Sequence, residues 1–171
     1  MKSFTETLND NKSLGRPELL KRAKEIDEPF ALAALQGAHE KSWKNLRLGN
    51  PDEDFKHMDI VGTNDSGQEI HFDVKRNSPQ TANSPNFTFT PVSNTGKQYD
   101  LDDEYGYVVF IDDVNKELYV TQKTQLKELI KNLNPRGSIH NKSQYYLIGK
   151  EDIKRISRPI TPSEKVKSML K

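Results

Sequence analysis

The sequence predicts an α/β fold, a mixed central β-sheet flanked by helices, on three observations. Two segments near the N-terminus carry apolar residues at helical spacing. Between residues 55 and 121, four segments read as strands in two hairpins. An amphipathic helix and a further strand-like run follow them. At 171 residues the chain is the size of one domain. Apolar residues make up 33% and charged residues 30%, so a small core and a large polar surface are expected.

Residues 1–15 are polar, and with residues 159–171 they are expected to be loose flanks of a single domain (1–171). Arg16 to Asp27 has Pro17 near its start and helical apolar spacing, which predicts a helix. Pro29 restarts the chain, and Pro29 to Asn45 predicts a second, more buried helix through Phe30, Leu32, Ala33, Ala34, Leu35 and Ala38. Trp43, Leu46 and Leu48 are expected to pack in the core or anchor the helix end before the stop at Gly49-Asn50-Pro51. Phe55 to Gly62 and Glu69 to Arg76 flank Asn64-Asp65-Ser66-Gly67, a hairpin pattern. Residues 77–100 are dense in Ser, Asn, Thr and Pro, a long loop with one short strand at Phe87 to Phe89. Tyr105 to Ile111 and Glu117 to Thr121 form the second hairpin. Gln122 to Leu133 places Leu126, Leu129, Ile130 and Leu133 on one helix face. Ser143 to Ile148 is the last expected strand, and a short basic helical stretch follows it.

No run approaches the ~20 apolar residues that cross a bilayer, so no membrane association is expected. Met1 to Asp10 has no apolar run and does not read as a signal peptide. The absence of cysteine excludes disulfides and thiolate-bound metals and fits a cytoplasmic setting. Net charge is only +1, but it is unevenly spread. From residue 118 onward twelve basic residues stand against four acidic ones, whereas residues 51–75 hold seven acids against Lys56 and Lys75. An acidic centre followed by a basic end suits a cation site beside a phosphate-binding surface; it also suits a solvated helix face with a basic tail.

Within Glu69 to Arg76, alternation puts Ile70, Phe72 and Val74 on one face and His71, Asp73 and Lys75 on the other. The neighbouring strand-like segment adds Asp59. Two carboxylates on adjacent strands can hold Mg²⁺, with Mn²⁺ as a substitute, and a lysine beside them can position a water or stabilise phosphoryl charge. The bland alternative is an exposed strand face with a same-side salt bridge. His57 and His71 also allow a two-His, two-carboxylate transition-metal site.

The order Met58-Asp59, hairpin, Asp73-Val74-Lys75 resembles the PD-(D/E)xK nuclease superfamily. The resemblance spans residues 55–76 as a motif and about 29–121 as an order of elements. It implies a restriction-endonuclease-like fold and hydrolysis of nucleic-acid phosphodiesters, most often in DNA, by a cytoplasmic homo-oligomer. It further implies Asp59, Asp73 and Val74 as metal ligands, Lys75 as the catalytic lysine, and a helix glutamate completing the site, Glu40 before Glu28. Met58 stands where the family name has proline. A literal Pro51-Asp52 lies upstream, but Asp59 is preferred because it falls in the strand-like segment. Arg76, Asn77, Gln80, Lys97, Gln98, Lys123 and Lys127 are the expected nucleic-acid contacts, with Gln98 also placed to assist the site. The rival reading is the same scaffold without catalysis, binding nucleic acid or a protein partner.

Overall fold

The computed structural model describes residues 15–92, 99–137 and 144–171. Its helical start is one run rather than two helices. Helix α1 (Arg16–Arg22) passes through a π-helical turn (Ala23–Asp27) into α2 (Glu28–Gly37). Pro29 does not break this run. It occupies the first turn of α2, directly after the π turn, where a wider ring of backbone bonds accommodates a residue that has no N–H to give. The expected second helix to Asn45 ends at Gly37 instead, and Lys44–Leu48 is an edge strand, β1. Trp43 is part of the core packing, edge-on to Phe72 at 5.7 Å.

After β1, the short helix α3 (Pro51–Phe55) is set by a capping box: the Asn50 side chain accepts from Glu53 N–H, and the Glu53 side chain accepts from Asn50 N–H. Strands β2 (Ile60–Thr63) and β3 (Glu69–Arg76) form the expected hairpin, though β2 begins one residue after Asp59. β4 (Asn86–Val92) follows, then the hairpin of β5 (Gly106–Asp112) and β6 (Glu117–Gln122). Helix α4 (Lys123–Ile130), β7 (Gln144–Gly149) and α5 (Lys150–Ile156) come next. The C-terminal residues, expected to be loose, form β8 (Arg158–Ile160) and α6 (Glu164–Lys167). Ile160 and Leu170 are buried there, which gives this segment an apolar reason to dock.

The result is an α/β fold with a mixed six-stranded sheet, order β1-β2-β3-β5-β6-β8, and a separate β4-β7 pair. β3 and β5 are parallel, and the other pairings in this sheet are antiparallel. Alternation divides the core between the two faces of the sheet. Phe30, Leu35, Phe72, Val109, Ile111 and Leu118 pack with α2 on one side. Phe87, Phe89, Val108, Phe110, Tyr119 and Leu126 pack with β4, β7 and α4 on the other. Among the described residues no helix is long and apolar enough to cross a membrane.

Candidate functional site

The β2–β3 register pairs Ile60 with Phe72, and one further step places Asp59 across from Asp73. Asp59 N–H donates to Phe72 O at 3.0 Å, one residue out of that register, so the regular ladder ends at Ile60. The Asp59 and Asp73 carboxyls nevertheless come within hydrogen-bonding reach of each other. Asp59 is fixed from both sides. Its Oδ2 accepts from Val74 N–H at 2.8 Å, and its carbonyl accepts from Gly49 N–H at 2.8 Å. Gly49 has to be glycine for that approach, because a Cβ there would lie 2.1 Å from Met58 O.

Two further acids join Asp59. Carboxylate oxygens of Glu28, Asp54 and Asp59 lie within 4.8 Å of one another. Glu28 comes from the start of α2 and is buried; Asp54 comes from α3, half-buried. Lys75 Nζ stands 3.1 Å from Asp73 Oδ2, an ion pair rather than a well-aligned hydrogen bond. Asp73 is 2% exposed, and its Oδ2 is sealed from water with the Lys75 ammonium beside it. The Tyr99 hydroxyl is buried against the same carboxylate.

The charges are distributed unequally. Burial, reinforced by the negative charge of Asp73, pushes the Asp59 carboxyl up to about 11. Burial also works against ionising Asp73, but the Lys75 ammonium prevails and holds that carboxyl below its ordinary range. Burial acts to lower Lys75, and the Asp73 carboxylate outweighs it, leaving the ammonium above its usual value. In the absence of a cation, then, the cluster keeps one proton on Asp59 and one charge on Asp73.

This donor set fits Mg²⁺ or Mn²⁺. The three converging groups all offer carboxylate oxygens, the choice of hard cations. Glu40, expected to complete the set, is not brought there. It pairs with Arg158 and lines a small pocket with Trp43, Tyr107, Val120 and Gln122 on the α2 side of the sheet. Glu28 takes the place expected of it, because the π turn and α2 deliver it beside Asp59. Asp54, given no role in the sequence reading, is the residue that sequence reasoning missed. The spacing of Asn50 and Glu53, a capping box, was the signal for a helix start that carries it.

The converging carboxylates are those of Glu28, Asp54 and Asp59, and the histidines lie around them. His71 Nε2 lies 3.2 Å from Lys123 Nζ and 3.0 Å from Asp103 Oδ2. Burial, then the nearby Lys123 charge, lowers its pKa. His71 and Lys123 meet through a gap left by Gly106, whose added Cβ would lie 2.6 Å from Lys123 Cδ. The His57 ring packs 4.9 Å from that of Tyr99. Lys75 and Lys123 both lie over the Tyr99 ring, 5.6 and 4.7 Å from its centroid.

The expected nucleic-acid contacts divide. Lys123, 3% exposed, belongs to the inner cluster, and Gln80 is exposed on a short 3₁₀ turn (Pro79–Thr81). Lys127 is partly exposed and pairs with Asp102. Arg76 and Asn77 turn inward. Arg76 binds Asp27, Asp113 and the carbonyl of Lys171, and Asn77 donates to Thr81 O and Asn86 O. Lys97 and Gln98 lie outside the described residues. No family model matches this chain, and no curated protein matches it.

Proposed function

We propose that this chain is a divalent-metal-dependent nuclease of the PD-(D/E)xK kind that hydrolyses phosphodiester bonds in DNA. The observation that carries the reading is the burial of the Asp59 and Asp73 carboxyls together, with the Lys75 ammonium 3.1 Å from Asp73 Oδ2 and the Glu28 and Asp54 oxygens converging on Asp59. A salt bridge on a solvated strand face would not bury two carboxyls side by side. Mg²⁺ or Mn²⁺, held by Asp59, Asp73 and Glu28 with Asp54 at the rim, would supply Lewis-acid charge at the phosphate and a more acidic water. Val74 N–H orients Asp59 for that task. Lys75, with its side chain 29% exposed, can meet the phosphate and offset charge developing in the transition state. Lys127 and Gln80, both at the surface, would grip the nucleic-acid backbone. By the same family likeness we propose a homo-oligomer acting in the cytoplasm.

Cleavage of supercoiled plasmid, linear duplex, branched DNA and RNA by wild type and Lys75→Ala, in Mg²⁺, Mn²⁺ or EDTA, tests this. The expected outcome is metal-dependent cutting of at least one substrate, reduced at least about 100-fold in the variant. A folded wild type that binds nucleic acid but cuts none of these substrates in any metal would point to the non-catalytic binding reading.

A further inference from the structure

Lys24 has no part in the chemistry above, yet its ammonium sits among the acids. Nζ lies 3.2 Å from Glu28 Oε1 and 2.5 Å from Asp54 Oδ1. Its side chain is 49% exposed, so the long stem reaches from solvent into the cluster rather than being sealed there. The π turn sets this position. Lys24 lies within Ala23–Asp27, four residues before Glu28, and π turns recur where a helix must present side chains out of ordinary phase. Glu28 and Asp54, which Lys24 contacts, are two of the three acids whose carboxylates converge with that of Asp59.

Independent of these contacts, the Asp73 carboxylate lies buried on the inner side, paired with Lys75. Lys24 therefore neutralises the outer half of the cluster, and Lys75 the inner half. A lysine ammonium is a compact cation on a flexible stem, and a half-exposed one can turn into water at small cost. A divalent ion that engages Glu28 must meet this ammonium first.

We propose that Lys24 is a resident counter-cation that competes with the divalent ion for Glu28 and Asp54, and that it swings into solvent when the ion binds. The inference rests on the metal reading above. It makes Lys24 a residue that sets how much metal the site requires, without acting on the substrate.

The test is calorimetric titration of Mn²⁺ into the full-length wild type and four variants at fixed ionic strength. Lys24→Gln removes the competitor. Lys21→Gln removes the same charge from an exposed position of the same helical run. Lys24→Arg retains a cation, and Asp59→Asn removes a ligand. Lys24→Gln is expected to bind Mn²⁺ roughly three- to tenfold more tightly than both wild type and Lys21→Gln. Lys24→Arg should stay within about twofold of wild type, which also shows that the position tolerates substitution. Affinity of Lys24→Gln equal to or below that of Lys21→Gln overturns the role of Lys24. If Asp59→Asn leaves wild-type Mn²⁺ binding intact, or if no variant binds Mn²⁺, the metal reading itself falls and this inference falls with it.

Discussion

Asp59 is the residue whose ionisation decides how the site behaves with pH. Its folded-state pKa is raised above the unfolded value of 3.8, to about 11. The stability it contributes is thus fully present below about pH 4. It is lost progressively as pH rises through this interval, because the unfolded chain releases a proton that the folded protein retains. Metal-free wild type should lose stability steadily through this group as pH rises from about 5 to about 9. Asp59→Asn should lack that decline, and saturating Mg²⁺ should abolish it in wild type, since a bound cation takes over from the proton. Thermal melts across that range in EDTA and in Mg²⁺ measure both effects; a parallel pH dependence in wild type and Asp59→Asn would remove Asp59 as the cause.

At this scale, the sequence exposed Asp59, Asp73 and Lys75 through strand alternation and a short turn, and the structure brings those three together. It did not expose the choice between Glu28 and Glu40, since that choice depends on the phase of the helical run. A π turn shifts this phase by a fraction of a turn, and the helix ends at Gly37, well before Glu40. No periodicity in the residues reports either event.

At the scale of elements, α3 and the residues that flank it control how the acids are presented. The Asn50–Glu53 capping box starts the helix, and Arg47 grips the Glu53 carboxylate at 2.7 Å. That contact first, and the Asn50 backbone second, hold the Glu53 carboxyl down to about 2. Asn50→Ala is expected to cost about 1 kcal/mol, as a lost N-cap does. Gly49→Ala should cost more, about 1–3 kcal/mol, because the new methyl group drives Met58 O, and with it Asp59, out of place. Urea unfolding read alongside Mn²⁺ titration checks the order. Gly49→Ala should weaken the metal more than Asn50→Ala does; the reverse order would mean that α3, rather than the Asp59 backbone, governs the site.

The strands that the sequence revealed, β3, β5 and β6, are inner strands; burial on both faces gives β5 and β6 near-continuous apolar runs that read as strands. β1 and β8 were not legible. β1 is an edge strand with four of its five residues exposed, and β8 is three residues long with a proline at its centre. Such strands exist because a neighbour offers an open ladder, and their own side chains carry no pattern that says so.

For the whole molecule, the low apolar content is met by dividing the core across the sheet. Phe30 belongs to one cluster and Phe89 to the other, both fully buried. Phe30→Leu and Phe89→Leu should each destabilise by about 1 kcal/mol, and the double variant by the sum to within about 0.5 kcal/mol. Denaturant midpoints of the two single variants and the double decide it. A large shortfall from additivity would mean that the sheet transmits packing strain between its faces.

The parallel pairing of β3 with β5 has a consequence for the order of assembly. The β2–β3 hairpin closes locally through its Asn64 turn, where Asn64 Oδ1 accepts from the N–H groups of Ser66 and Gln68. β5 reaches β3 only after the chain has travelled from residue 77 to residue 105. Asp59 and Asp73 therefore come side by side early, while water still screens them, and are enclosed only when β5 docks and the Tyr99 segment folds over. The proton that Asp59 takes up beside the charged Asp73 belongs to that late step. A cation present during folding would ease the climb to the final barrier more than it would speed formation of the hairpin.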